Sequence, residues 1–223
     1  MSQAIGQVLS LGVGVSLSPI PIIGVVLMLA TPRARVNGPA FLVGWVVGLA
    51  VAGTVVLLAA GGAGASEGGA PADWVNWLKL VLGLLLLLVA LKQWRGRPRA
   101  GEEGAMPGWM HAVDGFEALK AAGLGVLLSA VNPKNLLLVI AAAAAIAQTG
   151  VAGGEQALAL AIFIAIATIG PGAPVAIYFA LGARSKRLLD ELRAWMAHNN
   201  AAIMAVICLL IGVKLIGDAI SGF

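Results

Sequence analysis

The sequence predicts an all-α integral membrane protein with six transmembrane helices, arranged as two inverted three-helix repeats. Of the 223 residues, 60% are hydrophobic and only 11% are charged, whereas soluble domains average about a quarter charged residues. Six stretches are apolar over the roughly 20 residues that a helix needs to cross a bilayer. Basic residues are concentrated in alternate connections between these stretches. The placement of these residues therefore indicates the orientation in the membrane, and the net charge of +4 is not read as a sign of nucleic-acid binding.

The six predicted spans follow one another with short connections. The first has no basic region ahead of it and is longer than the apolar core of a signal peptide, so we interpret it as a retained span. The predicted spans are residues 5–30, 38–60, 74–93, 116–148, 155–181 and 201–221.

The distribution of Lys and Arg predicts the orientation. Eleven of the 14 basic residues lie in or beside the connections between spans one and two, three and four, and five and six. Cytoplasmic loops are enriched in Lys and Arg, so we expect a multi-pass plasma-membrane protein with both termini outside. The three other basic residues, within spans, are Lys79, Lys134 and Lys214.

A short internal repeat divides the chain. The motif Gly12-Val13-Gly14-Val15, followed by Ser18, matches Gly123-Leu124-Gly125-Val126, followed by Ser129. Because the first copy would run inwards and the second outwards, the halves would have inverted topology, as in many secondary transporters. We predict a first repeat over 1–94, a cytoplasmic linker with a short interfacial helix over 95–115, and a second repeat over 116–223 that includes an amphipathic interfacial helix at 184–199.

Three proline-containing segments predict broken helices in spans one, four and five. Proline removes a backbone donor, and the polar groups it frees are tolerated in a membrane only inside protein or beside a watery cavity. Proline also favours the first turn of a helix, so each break can begin a half-helix whose positive end points towards the bilayer centre. The segments are Ser18-Pro19-Ile20-Pro21, 129–135 and Gly170-Pro171-Gly172-Ala173-Pro174.

Lys134 is the predicted functional charge. It lies near mid-depth in span four, where a lysine costs about 2.5–3.5 kcal/mol. Lys79 lies nearer the outer surface, where we expect it to snorkel, and Lys214 is spaced to pair with Asp218 on one helix.

The positive charge of this site predicts an anionic ligand. No Asp or Glu lies in the middle of a predicted span, so the ligand should carry a carboxylate, phosphate or sulfate. Hydroxyl, amide and backbone groups at the breaks would complete the site. The predicted substrate-binding residues are Ser18, Pro19, Pro21, Ser129, Asn132, Pro133, Lys134, Asn135, Thr168, Gly170, Pro171, Gly172 and Pro174.

Other site chemistries receive little support. One cysteine and two histidines form neither a disulfide framework nor a transition-metal ligand set, and no nucleophile with a positioned base is visible. We therefore expect no enzyme activity, cofactor, metal or nucleic-acid partner. The Gly44-x-x-x-Gly48 spacing permits close helix contact, either within the fold, which we favour, or in a homodimer.

Four segments of the chain resemble those of a known family of membrane proteins. Pro107-Gly108-Trp109-Met110, Gly123-Leu124-Gly125 and 132–137, together with Ser18-Pro19-Ile20-Pro21, resemble the GAP family of peptidoglycolipid-addressing and sulfolipid-addressing membrane proteins. More distantly, the Asn132-Pro133-Lys134 motif is similar to one in the lysine-exporter superfamily. The resemblance implies a role in bringing cell-envelope glycolipids towards the surface, and relatives that export amino acids or metal cations.

Three functions remain open from the sequence. The first is a transporter or flippase for an anionic lipid or glycolipid precursor, with Lys134 holding the headgroup among the membrane lipids. The second is export of a small solute such as an amino acid, although no mid-membrane carboxylate would receive the ammonium group. The third is a non-transporting scaffold that recruits envelope-synthesis enzymes at the cytoplasmic face.

Overall fold

The computed structural model describes residues 2–67, 70–97 and 115–222, and its architecture is helical. A two-residue antiparallel hairpin, which the all-α prediction did not contain, pairs β1 (Ser66–Glu67) with β2 (Ala70–Pro71). A π-helical turn, Leu127–Val131, follows α5, and a 3₁₀ turn, Gly182–Arg184, joins α7 to α8. The helices are α1 (Ser2–Ser16), α2 (Pro19–Leu29), α3 (Ala34–Gly62), α4 (Asp73–Arg95), α5 (Ala118–Val126), α6 (Pro133–Ala147), α7 (Gly153–Leu181) and α8 (Ser185–Ile220).

Several of these helices are long and apolar enough to cross a membrane. Within the described residues they are Ala34–Gly62, Asp73–Arg95 and the segment Gly153–Ile220, which contains α7 and α8; the bent pairs α1–α2 and α5–α6 raise the number to five if each is one span. Large apolar side chains such as Val43, Leu58 and Leu210 lie exposed on the outside, as a surface facing lipid requires. These features are compatible with a multi-pass membrane protein. A bent pair followed by long helices occurs twice along the chain.

The predicted breaks in spans one and four are confirmed. The chain bends by 51° between α1 and α2, and by 62° between the π-helical turn and α6. Both second half-helices begin with proline, α2 at Pro19 and α6 at Pro133, where the missing N–H is not needed by the helix.

The predicted break in span five is wrong. Helix α7 continues from Gly153 to Leu181 with Pro171 and Pro174 inside it. Prolines are tolerated within membrane helices where neighbouring groups satisfy the displaced backbone. Here the Gly170 N–H, directly before Pro171, donates to Ser16 Oγ of α1 at 2.8 Å, so a hydrogen bond joins α7 to α1 beside the proline.

The predicted interfacial helix and span six form one continuous helix. Helix α8 runs without interruption from Ser185 to Ile220, because no glycine or proline occurs between residues 184 and 211. Among the apolar residues of 184–199, Leu189 and Met196 are buried, whereas Leu188 and Trp195 are exposed. The predicted linker and its short helix fall largely in residues 98–114, outside the described residues.

Close packing positions the broken helices. Helix α4 packs along α8, and α3 packs against α5 and the π-helical turn. A Cβ on Gly44 would lie 1.9 Å from the Ala122 carbonyl oxygen, and one on Gly48 would lie 2.1 Å from Ser129 Oγ. The Gly44-x-x-x-Gly48 motif therefore makes an intramolecular contact, as we favoured.

The surroundings of Lys79 differ from the expectation that it snorkels. Its side chain is buried rather than snorkelling towards the surface, and it interacts electrostatically with Asp218 and Lys214 of α8. The expected ion pair between Lys214 and Asp218 is confirmed.

Candidate functional site

The candidate site lies where the two broken helices meet, and Lys134 joins them. Lys134 is the second residue of α6 and only 2% of it is exposed. Its Nζ donates to the Gly14 carbonyl oxygen at 2.7 Å and to Ser18 Oγ at 2.5 Å. An ammonium group has three donors, so these two acceptors, the only ones among the described residues, leave one N–H for a ligand.

Proline explains why the Gly14 carbonyl is free to accept. The Val15 carbonyl would normally bond the N–H four residues on, but Pro19 has none. The Ser18 N–H bonds the Val15 carbonyl instead, at 3.2 Å. The Gly14 carbonyl, which Ser18 would have satisfied in a regular helix, is thereby left to Lys134.

Proline has the same effect at the second break, where Pro133 lacks an N–H. In the π-helical turn the Asn132 N–H donates to the Leu127 carbonyl at 3.0 Å, and the next donor in this ladder would be Pro133, which has no N–H. The Leu128 carbonyl is satisfied instead by Asn135 Nδ2 at 2.8 Å. Ser18 Oγ in turn donates to Asn135 Oδ1 at 2.8 Å, so one hydrogen-bond network connects both breaks.

The electrostatics of the site are positive. Within the described segments no carboxylate pairs with Lys134, and the ion pairs there lie elsewhere. Cys208 of α8 is close enough to interact electrostatically with the ammonium group. The N-termini of α2 and α6 both begin at the breaks, and each adds partial positive charge. Such a buried charge is costly unless it is compensated.

The other predicted site residues have different roles. Asn132 caps α6 by accepting the Lys134 N–H at 3.1 Å, and Ser129 Oγ donates to the Val126 carbonyl at 3.1 Å beside Gly48. Thr168 Oγ1 donates within its own helix, to the Ile164 carbonyl at 2.7 Å. The structure thus brings Ser18, Lys134 and Asn135 together directly. The buried prolines Pro19, Pro21, Pro171 and Pro174 shape or pack the helices, whereas Pro133 and Gly172 are not fully buried.

Two site residues were missed from the sequence. Gly14 supplies the main carbonyl acceptor, and its spacing of four residues from Ser18 on one helical face was the available signal. Ser16 accepts a hydrogen bond from the Gly170 N–H of α7, and no local sequence pattern indicates this long-range contact.

A lipid-facing groove lies behind the site, between α1 and α8. One part has a volume of about 520 Å³ and is lined by residues that include Gly14, Leu17, Ile207 and Lys214. A second part of about 420 Å³ shares Leu17 and Ile207 and continues to Trp195 and Asn199. We call these two parts the α1–α8 groove.

The comparison with protein families concerns the identity of the chain. The model of the family described as Sap, sulfolipid-1-addressing protein, matches residues 8–221, nearly the whole chain, including both breaks and Lys134. The chain belongs to this family. The resemblance noted from the sequence is thereby confirmed, since it rested on residues inside the matched region of this family. No curated protein and no solved structure matches the chain.

Proposed function

We propose that this family member is a transporter that moves an anionic cell-envelope amphiphile, such as a sulfolipid or a glycolipid precursor, across the plasma membrane. One observation carries the proposal: Lys134 is buried at the meeting point of two broken helices and has no carboxylate partner among the described residues. The family description names a sulfolipid, and a sulfate group is an anion of the kind that such a site would receive.

The contacts of Lys134 support an exchange of acceptors during binding. In the structure its ammonium group is held by two neutral oxygens, the Gly14 carbonyl and the Ser18 hydroxyl. An anionic headgroup would replace a neutral acceptor with one that carries a full negative charge, which adds Coulomb attraction to a hydrogen bond that the ammonium group already strengthens. The N-termini of α2 and α6 would add to the attraction.

The helix order supports a six-span topology for this transporter. Each bent pair would count as one span, and α3, α4, α7 and α8 as one each; all four exceed the roughly 20 residues required. Each half would then consist of a bent span and two straight spans, related by inversion, with both termini outside. This is the arrangement from which many secondary transporters build a central site, as the lysine-exporter resemblance also implies.

The test is lipid flipping by the purified protein in proteoliposomes. A fluorescent phosphatidylglycerol placed in both leaflets is bleached from one side with a membrane-impermeant reductant, and the protected fraction reports flipping. A hydrogen bond to a charged group contributes about 1.5–3 kcal/mol, so Lys134→Met should slow flipping at least about tenfold. Lys79→Met is the matched control, because Lys79 is also a buried membrane lysine but lies outside the network.

Two checks make the result decisive. A sharp size-exclusion peak and a thermal midpoint like that of the unaltered protein would show that Lys134→Met is folded. If that folded variant flips the lipid at the normal rate, Lys134 is not a headgroup site. If the unaltered protein flips no lipid, counterflow of labelled amino acids tests the export of a small solute, and failure of both assays in the unaltered protein would favour the scaffold.

A further inference from the structure

A cavity separate from the Lys134 network opens at the basic end of the molecule, where α2 and α7 end and α3 and α8 begin. Its volume is about 570 Å³, within the range of about 300–1,000 Å³ that is usual for small-molecule sites. We call it the basic-end cavity. Its lining residues include Val26, Leu29, Arg35, Tyr178, Lys186 and Leu189.

The lining is amphipathic. Val26, Leu29 and Leu189 form an apolar wall, and all three side chains are buried among the helices. The lining also includes polar residues, and among them Lys186 is already paired with Asp190 at 3.0 Å. Arg35 makes no ion pair with any described residue. Among the described residues the cavity thus has an exposed guanidinium group without an ion pair, together with an apolar surface.

This combination selects a particular class of ligand. A guanidinium group binds sulfate, phosphate or carboxylate through two parallel hydrogen bonds. A hydrocarbon chain would bury the apolar wall away from water, whereas a fully polar anion would not. An anionic amphiphile offers both parts in one molecule.

The position of the cavity connects it to Lys134. Val26 of the cavity wall and Ser18 of the network belong to the same helical segment, eight residues apart, or about 12 Å at 1.5 Å per residue. The basic end is also the end that the positive-inside rule assigns to the cytoplasm. A molecule held against Val26 would lie about two helical turns along this segment from Ser18 of the network.

We infer that the basic-end cavity is a loading site for an anionic amphiphile, with the headgroup on Arg35 and a hydrocarbon chain against Val26, Leu29 and Leu189. This inference rests on the proposed function, since loading precedes transfer to Lys134. Tyr178, whose side chain also lines the cavity, can donate its phenolic O–H to the same headgroup.

Lipid binding measured by native mass spectrometry tests the inference. The protein, carrying Lys134→Met so that the central site does not contribute, is titrated with phosphatidylglycerol and, separately, with phosphatidylcholine. Arg35→Gln should weaken phosphatidylglycerol binding about tenfold or more, as expected for a lost charge-assisted pair, and leave phosphatidylcholine binding unchanged. Ala30→Trp, which fills the cavity from the end of α2, should weaken both.

The matched control is Arg33→Gln. Arg33 has the same charge two residues away but is paired with Glu117 and does not line the cavity, so its loss should leave phosphatidylglycerol binding intact. Equal weakening by both arginine variants would show general surface attraction and overturn the inference. Unchanged binding in Arg35→Gln, or full competition by glycerol phosphate, which lacks a chain, would also overturn it.

The two proposals fail separately. If Lys134→Met abolishes flipping while Arg35→Gln binds lipid normally, only the loading site is wrong. If Lys134→Met flips normally while binding still depends on Arg35, the loading site stands and the central role of Lys134 is wrong.

Discussion

At the scale of single residues, two prolines determine which backbone carbonyls the site can use. Pro19 and Pro133 lack the N–H groups that would continue their helices, and the Gly14 and Leu128 carbonyls consequently accept from Lys134 and Asn135. The sequence was sufficient to predict these breaks and the burial of Lys134, because both follow from local chemistry in an apolar span. The partners could not be predicted, since Gly14 and Lys134 are 120 residues apart in the chain.

Gly170 provides a residue-scale prediction. A Cβ at this position would lie 1.8 Å from the Ser16 carbonyl oxygen, and a clash between backbones cannot be relieved by a rotamer change. Gly170→Ala should therefore destabilise the protein by about 1–3 kcal/mol, the usual cost of overpacking, and lower the thermal midpoint in detergent.

Gly172→Ala is the control for that prediction. It lies on the same helix, and its added Cβ would meet only Thr168 Cγ2, at 3.9 Å, an ordinary contact. If both alanine variants melt at the same temperature, the close approach of α1 and α7 at Gly170 is not a feature of the folded protein in detergent.

At the scale of elements, α7 and α8 show why local patterns were insufficient. Pro171 and Pro174 resemble the prolines of the true breaks, yet α7 continues through both of them, and the Gly170 N–H beside them is bonded to Ser16, 154 residues away in the chain. Helix α8 continues past Asn199 and Asn200, where a change from amphipathic to apolar sequence suggested a boundary. A change of environment along a helix does not by itself end the helix. The confirmed breaks had a stronger signal, since serine or asparagine precedes a proline at both.

The start of α5 gives an element-scale prediction about pH. Exposed Glu117 accepts a hydrogen bond from Arg33 at 2.8 Å, and this bond, with the positive charge of Arg33, holds the pKa of the Glu117 carboxyl below its usual range. Because the folded pKa is lowered, the stabilisation is present above the ordinary glutamate pKa of about 4.3. It is lost as the pH falls through the lowered folded value.

A carboxyl-carbon NMR titration, which measures the pKa of Glu117, checks the effect of Arg33. Arg33→Gln should raise the pKa of Glu117 towards its ordinary value, whereas Arg35→Gln should leave it in place. Because both partners are exposed, the effect on the thermal midpoint should be small and should shrink further with added salt. An unchanged Glu117 titration in Arg33→Gln would mean that this ion pair does not join α3 to α5 in solution.

At the scale of the whole molecule, the proposed function needs a route by which a headgroup reaches Lys134 while its hydrocarbon chains stay in the bilayer, and the α1–α8 groove is the candidate for that route. A Cβ on Gly14 would lie 2.2 Å from Ile211 Cδ1, so α1 and α8 are in close contact where the groove is nearest the site. Passage of a headgroup therefore requires these helices to separate. The next residue after Ile207 of the groove is Cys208, which is 1% exposed and is the only cysteine of the chain.

Cys208 is consequently a native reporter of this opening. With phosphatidylglycerol as the transported lipid, N-ethylmaleimide should modify Cys208 faster than in phosphatidylcholine alone, as measured by the mass increase of the intact protein over time. Lys134→Met should remove the dependence on lipid, because a headgroup that is no longer held cannot keep the helices apart. Equal modification rates of the unaltered protein in the two lipids would show that α1 and α8 do not separate during binding, and the route to Lys134 would have to lie between other helices.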